Sequence, residues 1–312
     1  RTAEVFQPDI FIADKEPLGL RGELEPTLSM FKEMNTKTVI GLRDVMDSPK
    51  LLTAEWAKSD MISKIDQYYD CVWAYGPDDF WNPLKGFDLP ETLSNKLTYT
   101  GFIHRELPSL DTSESHNLPD KYILVTGGGG GDGGTLMEQI LAAREHDRQI
   151  DFPIVMVLGP FMKSDVRDRI RIRASRLANI TVIDFDNRME VLTANAEAVV
   201  GMCGYNTFCE VMSFDRKALF VPRVSPREEQ FIRAKRAQEL GLCEMLHPDD
   251  AAIPSVMAEK LRSLPDIPRP SSSLNAGCLD GLINICSEVE RLSNLDEAND
   301  DHSEKLMEAQ TA

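Results

Sequence analysis

The stretch YILVTGGGGGDGGTLMEQILAAREH, residues 122 to 146, decides the fold. It opens with a short apolar, β-branched run of the kind that makes a buried strand, crosses seven glycines and Asp132, and continues as a helix beginning near TLMEQ. Strand, glycine loop and helix in that order form a βα unit of a doubly wound parallel sheet. Glycine accepts positive φ and lets backbone amides approach an anion, and the following helix offers unpaired N–H groups and the positive end of its dipole. Gly127, Gly128, Gly129, Gly130 and Gly131 are therefore candidates to cradle a phosphate. The loop is neither a Walker A sequence, having no G-K-[ST], nor a clean dinucleotide fingerprint with an acid about twenty residues on. A flexible tight turn is the plainer alternative, although a turn rarely needs so many consecutive glycines.

Similar units lie on both sides. Downstream, DFPIVMVLG (151 to 159), NITVIDF (179 to 185), AEAVVGM (196 to 202) and KALFVP (217 to 222) alternate with helical patterns. Upstream, PDIFIAD (8 to 14), TKTVIGLRD (36 to 44), YDCVWAYG (69 to 76) and LTYTGF (97 to 102) do the same. Near-continuous Val and Ile runs between helices imply parallel sheets covered on both faces. A polar stretch, ELPSLDTSESHNLPD (106 to 120), separates the series. The expected organisation is α/β, with two Rossmann-like doubly wound domains at residues 1–103 and 104–291, then a disordered acidic tail at 292–312. The first series has about three strands before a linker near residues 100 to 106, the chain starts at Arg1 rather than Met, and no charged-then-apolar leader is present. The first domain is thus expected to be incomplete and to lack an N-terminal portion.

With 312 residues, 42% hydrophobic and 27% charged, the chain has enough apolar content for two cores. Its longest nearly apolar run, FPIVMVLGPFM, is too short to span a bilayer, and membrane association is not evident. The formal net charge is −17, of which residues 293–312 hold −5, six acids against Lys305. That balance argues against a nucleic-acid partner, whose binding draws on many Lys and Arg contacts. A small phosphate-bearing ligand is compatible with it. Cys71, Cys203, Cys209, Cys243, Cys278 and Cys286 show no C-x-x-C and no neighbouring His pair. They read as small buried hydrophobes in a reducing cytoplasm, with neither zinc nor disulfides expected.

Three further constellations fall at strand ends. Phe185 closes the strand NITVIDF ahead of an amphipathic helix, where a planar base could stack, although taken alone it is more ordinarily a packing residue. GMCGYNTFCE (201 to 210) is a glycine turn entering a helix at about Asn206 or Thr207, which places Glu210 on the first turn. A carboxylate there either complements the helix dipole or accepts two ribose hydroxyls, and physics alone weighs these evenly. Glu229 and Gln230 stand where a loop becomes helix, with Arg223, Arg227 and Arg233 nearby to pair with phosphate or to form a solvated face.

The order of these parts resembles the C-terminal, nucleotide-sugar-binding half of GT-B glycosyltransferases of the family 28 type, typified by the peptidoglycan-precursor N-acetylglucosaminyl transferase. The match runs from the glycine loop through a Phe before M-x-x-L-x-x-A, a G-x-x-T-x-x-E turn, a strand ending in V-P, the E-Q pair and L-G, within residues 97–242. PDIFIADKEPLGLRGEL, GLRDVMD, YDCVWAYG and YTGFIHR resemble a group of bacterial glycosyltransferases known from sequence.

The resemblance implies that Phe185 flanks the nucleobase, Glu210 holds the ribose hydroxyls, and Gly204 and Thr207 approach the diphosphate. It also implies that Glu229 and Gln230 contact the donor sugar, that Arg105 sits close to the phosphates at the domain junction, and that Gly127 to Gly131 face the interdomain cleft. The family commonly has Asn where Arg233 stands, which opens the identity of the sugar. The expected activity is metal-independent transfer of a hexosyl group from a nucleotide diphosphate sugar, UDP-linked by expectation, to an unknown acceptor hydroxyl, with no cofactor. The catalytic base is expected in the missing N-terminal segment, since His104 and His116 are poor substitutes, and this portion alone is expected to be inactive. A UDP-sugar 2-epimerase on the same fold and a non-catalytic nucleotide-sugar-binding protein are the alternatives.

Overall fold

A computed structural model describes residues 1–108, 117–129 and 131–294. The chain divides into two compact units, one formed by Arg1–Ile103 together with the chain from Gly277 onward, the other by His104–Ala276.

The first unit is built on a parallel four-stranded sheet in the order β1-β2-β3-β4, with β1 at Ile10–Asp14, β2 at Lys37–Arg43, β3 at Cys71–Tyr75 and β4 at Leu97–Tyr99. The expected strands all form, the last reduced to three residues. β2 and β3 pair from Val39↔Cys71 to Arg43↔Tyr75, and their apolar runs are buried along almost their whole length. One face is covered by the Glu25–Glu33, Pro49–Trp56 and Met61–Tyr68 helices, which bury Leu28, Leu52, Trp56 and Ile65 against Ile40, Leu42 and Val72. The other face, with Val39, Cys71 and Trp73, is covered by a helix over residues 281–294.

That helix corrects the expected boundary, which assigned residues up to 291 to the second domain. Ile285, Val289 and Leu292 recur on one helical stripe, and the apolar surface they meet belongs to the first sheet. The polypeptide is locked in place as well: Phe102 N donates to Cys278 O at 2.8 Å and Asn284 Nδ2 to Thr100 O at 2.7 Å. Gly281 makes the approach possible, because a Cβ there would stand 2.6 and 2.7 Å from the Phe102 and Gly101 carbonyl oxygens. Of the expected acidic tail, residues 292–294 continue this helix and residues 295–312 lie outside the described residues.

The second unit carries a six-stranded parallel sheet in the order β10-β9-β8-β5-β6-β7. Its strands are β5 (Ile123–Thr126), β6 (Ile154–Val157), β7 (Ile180–Ile183), β8 (Ala198–Gly201), β9 (Lys217–Phe220) and β10 (Glu244–Met245). Successive strands run outward from β5 to β7, then return to the far side of β5 and run outward again. The direction therefore reverses between β5 and β8, and a crevice opens at their carboxyl ends. β5, β6 and β8 are wholly buried, which is why they read as unbroken apolar runs rather than alternating ones. β10, two residues long, was not foreseen.

Candidate functional site

The crevice is shaped first by backbone. Gly127 and Gly133 cross so closely that a Cβ on either would stand 2.6 or 2.7 Å from the other's Cα, so the loop turns back on itself over the end of β5. Gly128 has φ +71° and its N–H donates to Thr126 Oγ1 at 3.1 Å. Gly129 is different: nothing lies within 4 Å of where its Cβ would be. Gly131 backs onto Phe161, whose carbonyl oxygen would be 3.0 Å from an added Cβ. Gly130 lies outside the described residues, as does His116.

Next to this loop, β8 runs through Met202 and Cys203 into the Tyr205–Ser213 helix. Gly204 is its N-cap, with no side-chain cap and nothing within 4 Å of an added Cβ. The Gly134–His146 helix after the glycine loop is capped by Gly133, also without a side-chain bond. Two helix N-termini whose N-cap glycines supply no side-chain cap therefore stand side by side at the switch point. Thr207 joins them, its Oγ1 4.0 Å from the position of a Gly128 Cβ.

The turn between β8 and its helix is held from behind. Cys203 takes φ +62°, uncommon for a residue with a side chain, and its carbonyl accepts from Arg233 Nη1 at 2.9 Å. Arg233 is 1% exposed and its guanidinium lies 5.7 Å from the Tyr205 ring centroid. Arg233 thus supports the turn, in place of the phosphate-pairing or solvated role open to it from sequence.

Glu210 sits one or two residues deeper in the helix than expected, on its second turn, because the helix starts at Tyr205 rather than at Asn206 or Thr207. A carboxylate on the second turn gains little from the dipole, which acts within the first. It is 9% exposed, and burial, followed by the Glu190 carboxylate, pushes its pKa up to about 7 against the opposing pull of Arg105 and a Thr193 hydrogen bond. Arg105 is fastened along the same helix, its N–H on Ser213 Oγ and its Nη2 on Asn206 Oδ1, both at 2.9 Å.

Beyond β9, Arg223 organises the remaining polar groups. Its N–H donates to Gln230 Oε1 at 3.0 Å and its Nη2 to Glu229 Oε1 at 2.6 Å, while Nη1 reaches Asp132 Oδ2 at 2.9 Å. Arg223 Nε and Glu229 Oε2 are out of water without a partner. The arrangement offers donors and acceptors at the entrance of the Glu229–Glu239 helix, as a sugar-hydroxyl site would.

The family model for the Glycosyltransferase family 28 C-terminal domain matches residues 122–271. This stretch is thus family 28-like. A UDP-N-acetylglucosamine--N-acetylmuramyl-(pentapeptide) pyrophosphoryl-undecaprenol N-acetylglucosamine transferase from Sulfurihydrogenibium sp. (strain YO3AOP1) is 28% identical over 131 residues, 42% of this chain. The aligned part spans 34% of that relative's length. Among solved structures, the calicheamicin glycosyltransferase CalG4 superposes with a TM-score of 0.61 at 15% identity, over 93% of this chain and 75% of that one. The S. aureus MnaA–UDP structure gives 0.62 at 15% identity, over 94% and 77%. At such identities the likeness is one of fold, and the fold is GT-B.

Within the matched stretch, Phe185 is 55% exposed just past β7, so it is not the packing residue that its type alone would make it. The neighbouring Asp186 is buried and accepts from Arg188 N at 2.7 Å, which fixes the loop that presents the ring. Phe161, 72% exposed beyond β6 and backed against Gly131, was missed from sequence. Its signal was the G-P-F that follows an apolar strand. Among the described residues no three His, Cys, Asp or Glu side chains are grouped to hold a metal, and no helix is long and apolar enough to cross a membrane.

Proposed function

We propose that the second unit binds a nucleotide diphosphate sugar and that the protein transfers its hexosyl group to an acceptor hydroxyl. The observation that carries this is the pair of uncapped helix N-termini at the β5–β8 switch point, fronted by the open backbone of Gly129 and Gly204. On this reading the exposed aromatic Phe185 takes the base and the buried carboxylate of Glu210 takes the ribose hydroxyls. UDP is favoured as the nucleotide, since the Sulfurihydrogenibium relative is named for a UDP-sugar and MnaA was solved with UDP.

The residues divide the work by chemistry. Displacement at the anomeric carbon leaves a diphosphate whose developing charge falls on the loop amides, the two helix ends and Arg105. Glu229 and Gln230 orient the sugar through its hydroxyls, and the proton of the acceptor hydroxyl goes to a base outside the groups assigned here.

Two measurements test the proposal. A ligand that binds only the folded state raises stability by about 2.7 kcal/mol at a hundredfold excess over Kd. Titrating UDP, GDP and ADP and their sugars should therefore raise the melting temperature with one of them, and no shift at millimolar concentration of any would remove the basis of the proposal. Donor affinity and turnover should also survive EDTA. Loss on chelation with recovery in Mg²⁺ or Mn²⁺ would point to a metal-borne leaving group instead.

A further inference from the structure

Asp132 and Arg223 are joined across the sheet in a way that donor binding alone does not require. β8 lies between β5 and β9, Asp132 belongs to the loop after β5, and Arg223 follows β9. Their 2.9 Å contact therefore spans the strand between them, β8, whose following turn holds Gly204 with nothing within 4 Å of an added Cβ. Arg223 is fixed on its other side by local bonds, Nη2 to Glu229 Oε1 at 2.6 Å and its backbone N–H to Gln230 Oε1 at 3.0 Å. The breakable end is the one on Asp132, whose side chain is 40% exposed.

We propose that the Asp132–Arg223 pair is a strap across the phosphate cradle: in the free protein Asp132 holds the guanidinium edge that a nucleoside diphosphate takes on binding. This presupposes donor binding at the switch point. A partly exposed carboxylate pair holds weakly, whereas a diphosphate is more highly charged and matches the fork of the guanidinium in a bidentate way. Exchange of one anion for another leaves Arg223 satisfied in both states and moves the glycine loop's acid away from the incoming phosphates. Glu229, still on Nη2, keeps the freed guanidinium aimed at the cradle.

Calorimetry on the full chain with UDP, GDP and ADP decides it, using wild type, Asp132→Asn, Arg223→Gln and the double variant. Asp132→Asn should bind the preferred diphosphate roughly three- to tenfold tighter, and Arg223→Gln at least about tenfold weaker. On the Arg223→Gln background, Asp132→Asn should change affinity by less than about twofold, because the strap has already gone. Removal of a negative charge near a phosphate would by itself tighten both backgrounds equally, and that result overturns the strap. Unchanged or weaker binding by Asp132→Asn at wild-type melting temperature overturns it too. Should Asn lower the melting temperature, Asp132→Gly repeats the comparison with a residue the loop already holds in number. Failure of all four proteins to bind any of the three nucleotides removes donor binding and the strap together, whereas binding by wild type without the coupled pattern removes the strap alone.

Discussion

Glu210→Gln is expected to stabilise the free protein above pH 7 and to cost it nucleotide affinity. Keeping ionised a carboxyl whose pKa has risen from 4.5 to about 7 costs on the order of 3 kcal/mol. The sign follows from burial: the folded state binds the proton more tightly than the unfolded state, so the cost is absent below about pH 4.5 and complete above about 7. Gln keeps the shape and an acceptor for Thr193 but carries no charge to desolvate. At pH 8 the variant should melt several degrees above wild type, and the two should converge toward pH 4.5.

Binding should move the opposite way. A carboxylate accepting two ribose hydroxyls in a partly dry crevice makes charge-assisted bonds, and their loss should weaken the nucleotide by roughly tenfold or more. A 2′,3′-dideoxy nucleotide should bind both proteins alike. Wild-type affinity should also fall as pH drops below about 7, while the variant shows only the titration of the phosphate common to both. Equal affinity of the two proteins for the normal nucleotide at pH 8 would return Glu210 to a purely structural acid. A group that destabilises the fold in which it is held, and is needed only when a ligand arrives, is the pattern that functional strain leaves.

Sequence carried the architecture because its signals are local. The Val and Ile runs of β5, β6 and β8 are buried on both faces, so their apolar pattern states their environment directly. The helix at 281–294 shows where that directness ends: its stripe of Ile285, Val289 and Leu292 announces that a face is buried, but nothing local says which sheet receives it. The site behaved in the same way. Glycine positions, Phe185 and the Glu229–Gln230 pair were legible as residue types at strand ends. Arg233 was not, because its bond to the Cys203 carbonyl joins positions thirty residues apart and depends on a left-handed cysteine. The start of the Tyr205–Ser213 helix, one or two residues before the expected Asn206 or Thr207, moved Glu210 off the first turn and so removed the dipole explanation.

Gly127→Ala and Gly129→Ala should separate the two ways of explaining a loop with so many glycines. At Gly127 a Cβ would stand 2.6 Å from the Gly133 Cα, which is backbone and has no rotamer to change, so the crossing must open by close to an ångström. That should cost roughly 2 kcal/mol or more, lower the melting temperature, and displace the amides that face the crevice. At Gly129 the same methyl meets nothing within 4 Å, and the residue is not among those with positive φ. Its substitution should leave the melting temperature of the free protein within about 1 °C, or raise it slightly by restricting the unfolded chain. A turn that uses glycine only to bend has no further use for Gly129, and Gly129→Ala would then bind a nucleoside diphosphate as wild type does. A cradle needs the open space itself, since the ligand's phosphate must come against bare backbone, and the added methyl occupies the place of an oxygen. Calorimetry should then show nucleotide affinity reduced at least about tenfold in a protein that melts normally. Unchanged affinity in Gly129→Ala would mean that the phosphates do not approach this part of the loop, and the diphosphate would have to be sought at the Gly204 end of the switch point, against the Tyr205–Ser213 helix alone.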